Sequence, residues 1–230
     1  MSENTSNKIK ELYPFLHGDK KDALQENSAL LESVKQKSTH SIAVKQNFFE
    51  KNKQSIVDTA KSIAAVYSQQ GRMLCMGNGG SSCDAAHFAV EFQHPVTTGR
   101  PALPAINLTT DTAMISAVAN DVGSAHIFVR QLEAHGTSKD GLIGFSTSGN
   151  SSNLMNAFEK AKEIGMTTIG LAGGDGGEMK SSRLVDHCLV VETDSIHRVQ
   201  EVHVATYHIL WDLTHTLLAD VRGKLGATRS

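Results

Sequence analysis

The sequence has no long apolar run and no surplus of charge of one sign. Polar residues interrupt its most hydrophobic stretches within about ten positions, well short of the ~20 residues that a membrane-spanning helix needs. The first residues, Met1-Ser2-Glu3-Asn4, lack the apolar segment of a secretory signal. The 22 basic and 24 acidic residues leave a net charge of −2, which excludes a strongly basic nucleic-acid-binding face. We therefore expect a cytoplasmic protein whose partners include neither a membrane nor a nucleic acid.

Cysteine, proline and aromatic residues are also scarce. The three cysteines, Cys75, Cys83 and Cys188, are an odd number without zinc-ribbon spacing, so reduced thiols are expected in place of a disulfide framework. The chain has only four prolines, eight phenylalanines, three tyrosines and one tryptophan. Against this background the 11 histidines stand out and require an explanation.

Residues 1–70 contain few glycines, and their apolar residues recur at helical spacing, as Leu30, Leu31 and Val34 do. This pattern predicts two or three amphipathic helices. The polar residues 1–22 are predicted to form an N-terminal extension. We expect residues 23–230, including these helices, to form a single domain, because a chain of this length buries a core as one unit.

From residue 72 onward, short apolar runs alternate with longer segments of helical periodicity. This alternation is typical of parallel βαβ units, whose helices cover both faces of an open sheet. The sequence therefore predicts an α/β fold, a three-layer α/β/α sandwich with a five-stranded parallel sheet and added N-terminal helices. The predicted strands are Met73–Met76, Ala105–Leu108, Leu142–Phe145, Thr168–Leu171 and Cys188–Val191, and the predicted helices are 82–93, 111–119, 125–135, 151–164, 176–181 and 196–222.

Two polar loops follow predicted strands, the positions at which ligands bind to such sheets. The glycines of residues 77–82 let the backbone approach an anion at a helix N-terminus, although a tightly packed turn explains them equally well. No Gly-Lys-Ser/Thr follows, and Ser82 replaces a third glycine, so this is neither a P-loop nor a dinucleotide fingerprint. Residues 146–153 carry five hydroxyls and two amides, more than a helix cap needs, which favours a phosphate. The glycines of 173–177 are interpreted as a flexible turn.

Two predicted helices carry residues with the spacing of metal ligands. His87 and Glu91 are four residues apart and share a helix face, about 6 Å apart along the axis. On the last helix, Gln200 and His208 differ by about 80° around the axis, so both can face one site. Imidazole and carboxylate groups suit Zn²⁺, and an amide oxygen is a rarer ligand. By spacing alone, polar residues without a shared site remain the stronger alternative.

The last helix carries three further histidines, His197, His203 and His215. His197 falls in the same angular sector as Gln200 and His208, whereas His203 lies about 140° from His208. We therefore expect His203 to pack elsewhere or to be solvated.

Four segments in the same order resemble the sugar isomerase (SIS) domain family, and specifically its phosphoheptose isomerases. They are GNGGSSCDAAHFAVEF (77–92), PALPAINLTTDTAMISAVAND (101–121), GFSTSGNSSN (144–153) and RVQEVHVATYH (198–208). The resemblance spans roughly residues 45–220. It implies a flavodoxin-like SIS fold, and a zinc-dependent interconversion of sedoheptulose 7-phosphate and D-glycero-D-manno-heptose 7-phosphate through a cis-enediol. It also implies a homotetramer with active sites at subunit interfaces.

The resemblance assigns roles to individual residues of this chain. It implies one Zn²⁺ per subunit, held by His87, Glu91, Gln200 and His208. Glu91 is the implied catalytic base and His208 the implied acid. The implied substrate-binding residues are Asn78, Gly79, Gly80, Glu91, Asn120, Asp121, Ser146, Thr147, Ser148, Ser151 and Gln200.

Two departures from the family pattern border the implied pocket. Ile196-His197 stands where many relatives have smaller or acidic residues, and Phe92-Gln93-His94-Pro95 replaces a frequent Leu-x-Gly-Arg. These changes leave open an isomerase of another phosphosugar. A second alternative is a non-catalytic SIS protein of the kind that binds a replication initiator, although relatives of that kind lack the four metal ligands.

Overall fold

The computed structural model describes the backbone of residues 23–227 and the side chains of residues 26–219. The chain divides into two compact units, Met1–Ile42 and Ala43–Ser230. The predicted extension, residues 1–22, lies outside the described residues. The extension and the single domain over residues 23–230 therefore stay predictions.

Helices and strands alternate from residue 73 onward, as the hydrophobic pattern predicts. In chain order the elements are α1 (Ala23–Ser68), β1 (Met73–Gly77), α2 (Gly80–Gln93), β2 (Ala105–Asn107), α3 (Thr112–Asp121), a 3₁₀ turn (Ser124–His126), α4 (Val129–His135), β3 (Gly141–Ser146), α5 (Ser152–Ile164), β4 (Thr167–Gly173), α6 (Gly177–Ser181), β5 (His187–Val191) and α7 (Ile196–Ala227).

The five strands form one parallel sheet in the order β2-β1-β3-β4-β5. This is the flavodoxin-like order, with its topological switch between β1 and β3. β3 lies at the centre and all six of its residues are buried, as expected for a strand covered on both faces. The predicted fold class is confirmed.

Each face of the sheet carries its own apolar core. On one face, Cys75 and Phe145 pack with Phe88 of α2 and Tyr207 of α7. On the other face, residues of α3, α4 and α5 pack against the alternate strand residues, such as Leu74. The period of two along a strand thus divides the sheet between two helix layers. None of the helices within the described residues combines the length and apolar character needed to cross a bilayer.

Two helix predictions need correction. The two or three helices expected before residue 70 are one helix of 46 residues, α1. The predicted helix 125–135 is a 3₁₀ turn followed by the short α4. The helix is not interrupted between Ala23 and Ser68, because that segment has no glycine or proline to end a helix. Near its start, Leu30, Leu31 and Val34 are each at least 60% exposed.

Candidate active site

The two polar loops leave the same edge of the sheet side by side, because β1 and β3 are parallel neighbours with Gly77 paired to Phe145. The first loop turns sharply. A Cβ on Gly77 would lie 2.2 Å from the carbonyl oxygen of Ser81, and Gly79 has a φ of 53°. Both glycines are therefore required by backbone geometry. The loop leads directly into the N-terminus of α2, where Asn78, Gly79 and Gly80 are exposed.

The second loop is braced by its own side chains. Ser146 Oγ accepts a hydrogen bond from the Gly149 amide at 3.0 Å and lies 3.4 Å from Ser151 Oγ. Ser148 Oγ accepts from the Asn150 amide at 3.3 Å. Ser151 is the N-cap residue of α5 but makes no side-chain capping hydrogen bond. Its hydroxyl therefore does not cap the helix and is available to a ligand at the helix N-terminus.

The glycine cluster that sequence analysis interpreted as a flexible turn packs against this second loop. A Cβ on Gly149 would lie 2.1 Å from the carbonyl oxygen of Gly176, and one on Gly177 would lie 2.5 Å from Asn150 Oδ1. Asn150 Oδ1 also accepts a hydrogen bond from the Glu178 amide at 2.9 Å. The glycines thus allow two loops to approach closely and support the conformation of residues 146–151.

A cluster of three potential metal ligands lies between α2 and α7. Ligand atoms of His87, Glu91 and His208 all lie within 4.8 Å of one another. His87 Nε2 is 3.0 Å from Glu91 Oε1, and His208 Nε2 is 3.9 Å from the same oxygen. Two imidazoles and a carboxylate are the donors of many zinc sites, so this cluster fits a divalent metal. One chain assembles it without a second subunit.

Two aromatic side chains that sequence analysis did not single out hold this cluster in place. The Tyr207 hydroxyl is 2.6 Å from His87 Nδ1, which leaves Nε2 facing Glu91. Trp211 Nε1 donates to the backbone carbonyl of Glu91 at 2.8 Å. Tyr207 is 1% exposed, and burial raises its pKa, so its hydroxyl stays protonated at neutral pH. Tyr207 directly precedes His208, and Trp211 follows it within one turn. Only the packing of α7 against α2 brings them into contact with His87 and Glu91.

Asp84 lies one helical turn before His87, and no sequence pattern marks it as functional. Its carboxyl group is buried, and among the described residues Oδ2 has no hydrogen-bond partner. This burial raises the pKa of Asp84 to about 7. The charge of the Asp84 carboxylate also contributes to the raised pKa of Tyr207. Asp84 therefore acts on the hydroxyl that contacts His87.

The side chain of the predicted ligand Gln200, on α7, reaches the N-terminal end of α2. Its Nε2 is 2.3 Å from the position of a Cβ on Gly80. Gly80 precedes His87 by two turns, about 10 Å along the axis. The role of Gln200 as a metal ligand stays a prediction.

Two of the other histidines of α7 differ in their environments. His197 is exposed. His203 is 1% exposed and its Nε2 lies 3.3 Å from the Ala172 carbonyl oxygen. Burial lowers the pKa of His203 to about 4. The expectation that His203 packs away from His208 agrees with this position.

Asn120 and Asp121 lie in the other helix layer. They end α3, which packs on the sheet face opposite to α2 and α7. Asn120 Nδ2 donates to Asp121 Oδ1 at 2.7 Å, and both residues are exposed. Asp121 lines an open groove of about 630 Å³ together with Arg130 and Glu133. The described chain therefore does not bring these two predicted substrate ligands to the metal cluster.

Comparisons with known proteins agree with this architecture. The model of the SIS domain family matches residues 38–173. A phosphoheptose isomerase from Helicobacter pylori strain P12 is 44% identical over 173 residues, which is 75% of this chain and 88% of that protein.

Solved structures of similar proteins include a phosphoheptose isomerase from Francisella tularensis, with a TM-score of 0.77 and 34% identity. The match covers 81% of this chain and 98% of that one. A phosphoheptose isomerase from Neisseria gonorrhoeae gives a TM-score of 0.76 and 35% identity, with 81% and 99% coverage.

Proposed function

Because the chain belongs to the SIS domain family and to its phosphoheptose isomerases, we propose that it interconverts sedoheptulose 7-phosphate and D-glycero-D-manno-heptose 7-phosphate. The observation that carries this proposal is the pairing of a hydroxyl-rich loop at a helix N-terminus with the cluster of His87, Glu91 and His208. The loop suits a phosphate group, and the cluster suits proton transfer.

The reaction moves a carbonyl group between C1 and C2 of the sugar. Glu91 takes the proton from one carbon and returns it to the other, through a cis-enediol, while His208 exchanges a proton with the substrate oxygens. The distance of 3.9 Å between His208 Nε2 and Glu91 Oε1 puts acid and base within reach of adjacent atoms of one substrate.

A divalent ion, in our proposal Zn²⁺, belongs to this site. His87, Glu91 and His208 would hold it, and the proposed fourth ligand is Gln200. When bound, the ion supplies a Lewis acid that polarises the substrate carbonyl. The hydrogen bond between Tyr207 and His87 Nδ1 orients the imidazole so that Nε2 faces Glu91, where it would serve as a ligand.

The phosphate end of the substrate is assigned to Ser146, Thr147, Ser148 and Ser151. Hydroxyls and backbone N–H groups at the start of α5 stabilise a bound phosphate by hydrogen bonds, without lysine. The sugar hydroxyls are assigned to the loop that contains Asn78, Gly79 and Gly80. These assignments fit a chain whose net charge is only −2.

We further propose a cytoplasmic homotetramer with active sites at subunit interfaces. Three observations support the assembly. His87 and His208 are half exposed between α2 and α7, so one chain does not enclose the cluster. Asn120 and Asp121 lie on the opposite helix layer, so they join the site only if a second copy supplies them. Separately, the exposed Leu30, Leu31 and Val34 form an apolar stripe on α1 of the kind that packs against another copy.

The decisive experiment compares sedoheptulose 7-phosphate with fructose 6-phosphate as substrates of the purified protein. We expect a kcat/KM at least tenfold higher for the heptulose phosphate. A preference for the hexulose phosphate would favour isomerisation of another phosphosugar. Metal analysis distinguishes the isomerase from a non-catalytic SIS protein. No bound divalent ion and no turnover after zinc addition would favour a binding role.

A further inference from the structure

Asn78 and Asn153 join the two polar loops through a reciprocal pair of hydrogen bonds. Asn78 Nδ2 donates to Asn153 Oδ1 at 2.9 Å, and Asn153 Nδ2 donates to Asn78 Oδ1 at 2.9 Å. Asn78 is the first residue after β1, whereas Asn153 lies in the first turn of α5. The two residues are 75 positions apart in the sequence, so the pair exists only because β1 and β3 are neighbours.

The chemistry of this pair requires a carboxamide on both sides. Each side chain gives one N–H and accepts with one oxygen, which neither a carboxylate nor a hydroxyl reproduces in the same geometry. Asn153 is 8% exposed, so the loss of its partner would leave a buried polar group unsatisfied. The pair is therefore a link between the loops that is buried on the Asn153 side.

The geometry points to Asn153 as a positioning residue that sets the distance between the two substrate-binding loops and thereby the length of sugar phosphate that fits. This inference rests on the proposed function, since it takes residues 146–151 as the phosphate loop and residues 78–80 as the sugar loop. A substrate that contacts both loops depends on their separation, and a displacement of 1 Å costs up to about a hundredfold in rate. A ligand that contacts only the phosphate loop does not depend on it.

The test uses Asn153→Leu, which keeps a similar size but loses donor and acceptor without adding a charge beside the phosphate loop, and Asn153→Ser, which shortens the side chain. We expect KM for sedoheptulose 7-phosphate to rise at least tenfold in both variants. The inhibition constant of inorganic phosphate, which occupies the phosphate loop alone, should change less than twofold. Discrimination between sedoheptulose 7-phosphate and fructose 6-phosphate should fall at least fivefold.

Asn156→Leu is the matched control. Asn156 lies one turn further along α5, is partly buried, and donates through Nδ2 to the Ala125 carbonyl at 3.1 Å, away from the first loop. Its substitution should leave KM and the substrate discrimination within twofold. An unchanged KM in the Asn153 variants, or an equal loss in the control, would overturn the inference. A parallel weakening of inorganic phosphate binding would do so too, since Asn153 would then serve only the phosphate loop.

Failure of the proposed function gives a different result. If the unmodified protein isomerises neither sugar phosphate, the function is wrong. The role of Asn153 is then tested by calorimetric titration of the same two sugar phosphates and of inorganic phosphate. Selective loss of sugar-phosphate affinity in the Asn153 variants would support the link between the loops, and equal affinities in variant and unmodified protein would refute it.

Discussion

Replacing Tyr207 by phenylalanine removes a single oxygen atom, which lies 2.6 Å from His87 Nδ1. The contact with Tyr207 fixes the orientation of the imidazole and keeps Nε2 directed at Glu91. The substitution removes this contact. Partners of this kind are worth about 10–100-fold in metal affinity. The corresponding free energy of metal binding is about 1.4–2.8 kcal/mol.

The same substitution has a smaller effect on the fold. The loss of one hydrogen bond from a buried hydroxyl lowers the free energy of unfolding by about 1 kcal/mol. In a chain of this size that lowers Tm of the metal-free protein by roughly 2–4 °C. Calorimetric titration of the metal-free protein with Zn²⁺ measures the affinity, and a thermal melt measures the stability.

Tyr67→Phe is the matched control. Tyr67 is also buried, at 9% exposure, but its hydroxyl has no hydrogen-bond partner among the described residues. Its removal should leave the zinc affinity unchanged and Tm unchanged or slightly raised. If Tyr207→Phe binds Zn²⁺ as tightly as the unmodified protein, or if both variants lose affinity equally, the assigned role of Tyr207 is refuted.

Three further predictions concern the base, a buried histidine and the first loop. Glu91→Gln should lower kcat by about 10²–10⁴-fold in the isomerase assay, because the base is lost. Since the pKa of His203 is lowered to about 4 in the fold, its contribution to stability is present above pH 6.5. That contribution falls by about 3 kcal/mol between pH 6.5 and 4, because the unfolded chain binds the proton at a higher pH than the folded chain does. Urea unfolding at a series of pH values measures this change in the free energy of unfolding. Gly77→Ala should destabilise the protein by about 1–3 kcal/mol, because a Cβ would lie 2.2 Å from the Ser81 carbonyl oxygen.

Each of these predictions has a comparison that can contradict it. If the Glu91→Gln variant keeps full activity, Glu91 is not the catalytic base. His203→Gln retains a donor for the Ala172 carbonyl but does not titrate. In this variant the free energy of unfolding should depend less on pH between 6.5 and 4. An unchanged slope would mean that another group causes it. Gly80→Ala should destabilise less than Gly77→Ala, because its Cβ meets the flexible end of Gln200 and not backbone.

The fold class could be predicted because its signals are local. Buried parallel strands such as β3 are short apolar runs, and the helices between them have their own period. The N-terminal segment was predicted less well. Its apolar residues indicate helix, but where one helix ends and another begins depends on breakers, and α1 contains none.

The candidate site could be predicted in part for the same reason. His87 and Glu91 share a helix face at a spacing fixed by helix geometry, so the sequence predicts their proximity. The position of Gln200 depends on which turn of α7 lies beside which turn of α2. A helical wheel measures angle and not axial position, so the contact of Gln200 with Gly80 was not predictable.

By itself, the sequence determined the alternation of strands and helices, the polar loops after β1 and β3, and the i,i+4 pair of His87 and Glu91. These features depend on residues within a few positions of one another. Only the tertiary structure decided that His208 joins that pair, that Tyr207 orients His87, and that Asn153 links the two loops. The partners in these contacts lie 75 to 120 residues apart, and the packing of α7 on α2 and the order of the strands bring them together.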